Sequence, residues 1–132
     1  MAAPEGYPEG LKYHALHDWA RIDGDEAVLG ITWFAQDALG ELVHYEAPAA
    51  GATITKDSPY GEVESVKAVS DVIAPLSGEV LEVNGRVVAA PELVNEDPYG
   101  EGWLVRIRMS DPSELEPLLD ASGYRALLAS GS

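Results

Sequence analysis

Apolar and polar residues alternate with period two in several short stretches of this chain, most cleanly over Trp103-Leu104-Val105-Arg106-Ile107-Arg108-Met109. In a strand, this order turns Trp103, Val105, Ile107 and Met109 to a core and both arginines to water, with Leu104 the one apolar residue on the wet side. Similar stretches predict strands at 13–16, 19–22, 27–32, 42–46, 61–66, 71–74 and 79–83. Turn residues separate them: Asp-Gly-Asp-Glu at 23–26, Ser77-Gly78, and Asn84-Gly85, where Asn and Gly tolerate positive φ. Many short strands at near-regular spacing predict a mainly β fold, a barrel or sandwich.

Helical patterns are brief. Residues 33–40 make two turns ended by Gly40 as a left-handed cap. Further on, Asp111 is placed as an N-cap with Pro112 at the first helical position and Glu114 completing a capping box. Pro117 interrupts that helix, and a second begins near Asp120 or Ala121, packing Tyr124, Leu127 and Leu128 on the β body.

The length of 132 residues suits one domain spanning 1–132, with a core at about 11–110 and a C-terminal helical segment at about 111–129. Twenty-three acidic against eight basic residues give a formal charge of −15, a field that repels nucleic acid and anionic membrane surfaces. There is no cysteine, hence no disulfide framework and no thiolate chemistry. The opening residues read neither as a secretory signal nor as a transit peptide, and no apolar run approaches the roughly 20 residues of a membrane span. A cytoplasmic monomer is the expectation.

The usual catalytic constellations are absent from this pattern. His14, His17 and His44 lack metal-ligand spacing, and the glycines form no phosphate-binding loop. His17 beside Asp18 reads as a base with its acid only if both share a face, which strand geometry disfavours. Ser65 has no neighbouring base. What stands out is Lys67, within Glu64-Ser65-Val66-Lys67-Ala68, a solitary cation among acids and between two strand-like segments. On a hairpin tip its amine is free to be acylated, which removes the charge and makes the side chain a long neutral tether; the plain alternative is a solubilising residue.

Four ordered blocks at compatible spacing bear on that choice: residues 11–32, 35–51, 63–84 and 91–107. Together they resemble the H protein family of the glycine cleavage system, over almost the whole chain. Related biotinyl domains usually read Met-Lys-Met at the attachment site and oxo-acid dehydrogenase lipoyl domains Asp-Lys-Ala, whereas this core reads Val66-Lys67-Ala68.

The resemblance implies a barrel-sandwich hybrid of the lipoyl and biotinyl kind and covalent lipoate on Lys67, with Glu64 and Ser65 recognised at the attachment site. It implies a non-catalytic carrier that shuttles the aminomethyl unit of glycine. The partners are a pyridoxal-phosphate-dependent glycine decarboxylase, a tetrahydrofolate-dependent aminomethyltransferase, dihydrolipoyl dehydrogenase and the lipoate-attaching enzymes. Asp18 stands where the family has the glutamate of a His-Glu-Trp segment, one methylene shorter, and Leu16 replaces a family hydroxyl. Asp18 and Asp71 are thereby candidates for docking the loaded arm; the plain alternatives are that Asp18 ends a strand and Asp71 caps the turn. Two other functions stay open: a relay of octanoyl or lipoyl groups in lipoate metabolism, and an unmodified β interaction module.

Overall fold

The computed structural model describes residues 3–131; the outermost positions of the expected 1–132 domain, residues 1, 2 and 132, lie outside them. Among the described residues, nine strands form two antiparallel sheets. They are β1 (Lys12–Tyr13), β2 (Asp18–Asp23), β3 (Glu26–Ile31), β4 (Leu42–Glu46), β5 (Thr53–Ile54), β6 (Pro59–Ser65), β7 (Val69–Ile73), β8 (Gly78–Val83) and β9 (Val105–Met109). The larger sheet runs β1-β2-β3-β9-β8-β5 and the smaller β4-β6-β7. Short helices fill the connections: α1 (Trp33–Leu39), α2 (Gly85–Ala89), α3 (Leu93–Glu96) and α4 (Ala121–Ala129), with a 3-10 turn at Pro112–Leu115. The fold is mainly β with short helices, as the sequence pattern indicates.

The alternating positions meet between the sheets, where Leu29, Leu42, Val63, Val72, Val80 and Ile107 are fully buried. A second cluster joins Leu11, Tyr13, Trp19, Ala121 and Tyr124, so α4 covers the outer side of β1 and β2. Gly30 makes this packing feasible, because a Cβ there would stand 2.6 Å from the Trp19 indole. Buried Asn95 ties α3 to α1 and β4: its amide donates to Gln36 Oε1 and the Gly40 carbonyl, each at 2.9 Å, and its oxygen accepts the Leu42 N–H.

Four local expectations differ from the structure. Leu104 is fully buried, because β9 begins one residue later and the Leu104 N–H is drawn to the Leu29 carbonyl at 2.8 Å, off the strand's alternation. Asn84 has φ −75 and is no hairpin residue; its side chain accepts the Arg86 N–H as the N-cap of α2. Glu114 does not reach back to Asp111 but accepts the Ser77 N–H and hydroxyl at 2.7 and 2.9 Å, pinning the 3-10 turn to the β7–β8 connection. The first strand ends at Tyr13, and residues 14–17 form a turn in which His17 has φ 79.

Candidate functional site

The hairpin of β6 and β7 pairs from Pro59 opposite Ile73 to Glu64 opposite Val69 and presents Lys67 at its tip. The Ser65 N–H donates to the Ala68 carbonyl at 2.8 Å, and neither Val66 nor Lys67 adopts left-handed backbone. Ser65 holds the turn. It is buried, and its Oγ accepts the backbone N–H groups of Lys67 and Ala68 at 3.3 and 3.1 Å, satisfying donors that a strand partner would otherwise take. Glu64 is exposed on the outer face of the hairpin. Lys67 is exposed, and its stem passes Gly40 at the end of α1, where a Cβ would lie 3.5 Å from Lys67 Cε. Gly40, at φ 85, ends the helix in a backbone conformation that side chains rarely adopt, while a Cβ there would make only ordinary contact with the lysine stem.

Beside the hairpin lies a cleft of about 180 Å³ lined by residues 16–18, Ile31, α1, Val63, Ser70 and Asp71. It joins both sheets. Asp18, the first residue of β2, is 2 % exposed and its Oδ2 has no hydrogen-bond partner. Burial pushes this carboxyl well above the ordinary aspartate range, since the charged form loses its hydration without a compensating cation or donor. Among the described residues the only other buried side-chain polar atom without a partner is the Tyr60 hydroxyl, whose ionisation is opposed by burial first and then by the Asp18 charge.

The turn before Asp18 is strongly determined. The His14 N–H donates to the Asp18 carbonyl, and the His17 N–H to the His14 carbonyl, both at 2.9 Å. His14 Nδ1 accepts the Leu16 N–H at 3.0 Å, so its Nε2 carries the proton towards Asp57 at 2.6 Å. That hydrogen bond holds the Asp57 carboxyl below its usual range. His17 Nδ1 lies 2.7 Å from the Tyr124 hydroxyl, which lies 2.8 Å from Thr32 Oγ1, and its ring packs on Phe34 with centroids 4.6 Å apart. Burial, and then the neighbouring His14, lower the His17 pKa. The left-handed turn puts His17 and Asp18 on the same cleft, where strand geometry predicted opposite faces, yet the partner of His17 is Tyr124 and not Asp18.

Asp18 therefore starts a strand instead of ending one, and Asp71 caps no turn. Asp71 lies on β7 directly opposite Glu62, which in turn faces Glu46 on β4. None of these three carboxylates is paired with a base among the described residues. The structure brings Asp18 and Asp71 to one cleft and Glu64, Ser65 and Lys67 to its neighbouring hairpin. Sequence reasoning missed the α1 wall of Phe34, Ala35, Ala38 and Leu39 and the Tyr124–Thr32 anchor. The apolar face of α1 was readable in the helical spacing of those four residues; nothing local pointed from Tyr124 to a turn 107 residues away.

A family model described as glycine cleavage H-protein matches residues 11–131. A glycine cleavage system H protein of Symbiobacterium thermophilum is 48 % identical over 124 residues, covering 94 % of this chain and 97 % of its own. One from a Cyanothece species is 53 % identical over 120 residues, covering 91 % and 93 %. The crystal structure of a glycine cleavage system H protein from Mycobacterium marinum superposes with a TM-score of 0.86 at 40 % identity, covering 92 % of this chain and 98 % of that one. With hairpin, cleft and full-length similarity in agreement, the chain belongs to the glycine cleavage H-protein family.

Proposed function

We propose that this chain is a lipoyl-bearing, non-catalytic carrier domain of glycine cleavage, acylated on Lys67, that passes a one-carbon amine unit between the decarboxylase, the aminomethyltransferase and dihydrolipoyl dehydrogenase. The observation that carries the reading is the buried, unpartnered Asp18 oxygen in a cleft beside an exposed, rigidly presented lysine. When attached, lipoate supplies the sulfur that bears the unit. The chain supplies the rest. Ser65 fixes the turn so that the Lys67 stem leaves the surface in one direction. The apolar wall of Leu16, Phe34, Ala38 and Leu39 shelters an alkyl arm and limits water.

Asp18 meets the far end. An amine next to a thioether carbon expels the sulfur through its free lone pair, so a carboxylate that keeps the nitrogen protonated preserves the cargo. An arriving ammonium reverses the effect of burial and favours ionised Asp18. Asp71 adds a second negative charge at the rim, and Leu16 offers no hydroxyl, leaving Asp18 as the central polar contact. The test uses intact-mass analysis and exchange of carbon dioxide into glycine with purified partners. The native protein gains a lipoyl increment on Lys67 and supports exchange. Lys67→Arg lacks both; exchange that survives Lys67→Arg overturns the reading.

A further inference from the structure

Thr32, Tyr124 and His17 form a chain of hydrogen bonds in which hydrogen-bond satisfaction places every proton. Thr32 is fully buried; its Oγ1 accepts the Ala35 N–H at 3.3 Å as the N-cap of α1, and among the described residues its own proton has one acceptor in reach, the Tyr124 oxygen at 2.8 Å. Buried hydroxyls donate. Thr32 therefore donates to Tyr124, and Tyr124, also fully buried, donates to His17 Nδ1 at 2.7 Å; the opposite order strands the Thr32 proton without an acceptor. Burial, and then His14, lower the His17 pKa and favour a neutral ring. Its single proton thus sits on Nε2, which makes no hydrogen bond among the described residues. With Nδ1 turned to α4 and the ring laid on Phe34, the Nε2 edge is left to the cleft.

The other polar groups of the cleft do not duplicate this N–H. The Ser70 hydroxyl already donates to the Asp71 carbonyl at 3.2 Å, and Asp18 and Asp71, once ionised, offer only acceptors. One uncommitted side-chain donor stands among carboxylates. An amine carried on a thioether carbon has the reverse inventory, an ammonium that only donates and a sulfur that only accepts, separated by that carbon. We propose that His17 recognises the sulfur of the loaded arm while Asp18 recognises its nitrogen, with Tyr124 and Thr32 as positioning residues that fix the His17 tautomer. Two contacts select the carbon that bears both atoms over a plain alkylamine, which Asp18 alone accepts equally well. The inference rests on acylation of Lys67 and on docking at Asp18 as proposed above.

The tautomer is read on unmodified protein by long-range nitrogen–proton correlation spectra. Native His17 is expected to carry its proton on Nε2, and Tyr124→Phe, which keeps the ring and drops the hydroxyl, to show both tautomers. Cargo retention is read on lipoylated, aminomethyl-loaded protein as formaldehyde release. His17→Phe, which keeps an aromatic ring on Phe34 without a donor, is expected to release formaldehyde about threefold faster than native protein; His17→Gln restores an N–H and most of the retention, and superimposed melting curves exclude misfolding as the cause. A sulfur-free aminoalkanoyl arm of equal length on Lys67 isolates the sulfur: its ammonium pKa is expected to fall in Asp18→Asn and to stay unchanged in His17→Phe. Release from His17→Phe equal to native overturns the proposal, and so does a fall in the sulfur-free amine's pKa in His17→Phe, which makes His17 a nitrogen contact. A native His17 protonated on Nδ1 overturns the sulfur role alone, whereas native protein that resists acylation at Lys67 overturns the carrier reading and the sulfur role together.

Discussion

Asp18 is a residue that folding alone would not leave in place. Its folded pKa lies above the ordinary value of 3.8, so its favourable contribution is fully present below that value and is lost as pH rises through the folded pKa. Asp18→Asn removes the titration. The variant is expected to be more stable than native protein near pH 8, by about 1.4 kcal/mol for each unit of upward shift, with the gap closing towards pH 4. Urea unfolding across that range checks it; a gap that is flat with pH refutes the buried-carboxyl account. The same variant is expected to lose cargo faster once loaded, a cost that appears only in function. Glycine positions are as informative. At Gly78 a Cβ would collide with the Arg108 backbone oxygen, so Gly78→Ala must push β8 from β9 and is expected to cost about 3 kcal/mol, read as a lower urea midpoint with an unchanged m-value.

The elements show how a local pattern becomes a site. In the β6–β7 hairpin, Ser65→Ala leaves the Lys67 and Ala68 amides without their acceptor. A stability loss of about 1 kcal/mol is expected, together with slower acylation although Lys67 is untouched; restoration by Ser65→Thr identifies the hydroxyl as the cause. Helix α4 is held at its start by Asp120, whose side chain accepts the Gly123 N–H at 2.8 Å, and Asp120→Ala is expected to cost about 1 kcal/mol by the same unfolding measurement. Strand positions were legible because burial on one face imposes period two, and the exposed turn at Lys67 was legible from its turn-like flanks, whereas the acylation of Lys67 was an expectation from family resemblance. Three features were not. Leu104 is buried by the long-range bond to Leu29, Asn84 looks the same in sequence as a hairpin residue and as a helix cap, and Glu114 chose Ser77 over its own helix. Leu104 and Glu114 were decided by those distant partners, and Asn84 by its side-chain amide donating to the Glu101 and Trp103 carbonyls at 2.9 and 2.7 Å, none of which a local pattern contains. For the same reason the pairing of Asp18 and Asp71 across one cleft came from family resemblance and not from periodicity.

At the scale of the whole molecule the formal charge of −15 acts on stability and on encounter in opposite senses. Self-repulsion, including that of the Glu46–Glu62–Asp71 row, weakens the compact state, and added salt screens it; in the proposed carrier role, attraction to basic partner surfaces would speed association, and added salt would screen that too. Raising ionic strength is therefore expected to hold or raise the melting temperature while lowering the second-order rate at which the decarboxylase loads the proposed carrier. Rates insensitive to salt would leave the acidity with solubility alone. The two sheets add a mechanical aspect to the proposed role: Lys67, as anchor of a tether, would sit on the hairpin of the three-stranded sheet, whereas Asp18, as berth for the free end, belongs to the six-stranded one. Anything that lets the layers slip changes the slack available to the arm before secondary structure melts. Formaldehyde leaking from loaded protein during gentle warming would then report sheet-to-sheet breathing at temperatures where circular dichroism still registers an intact fold.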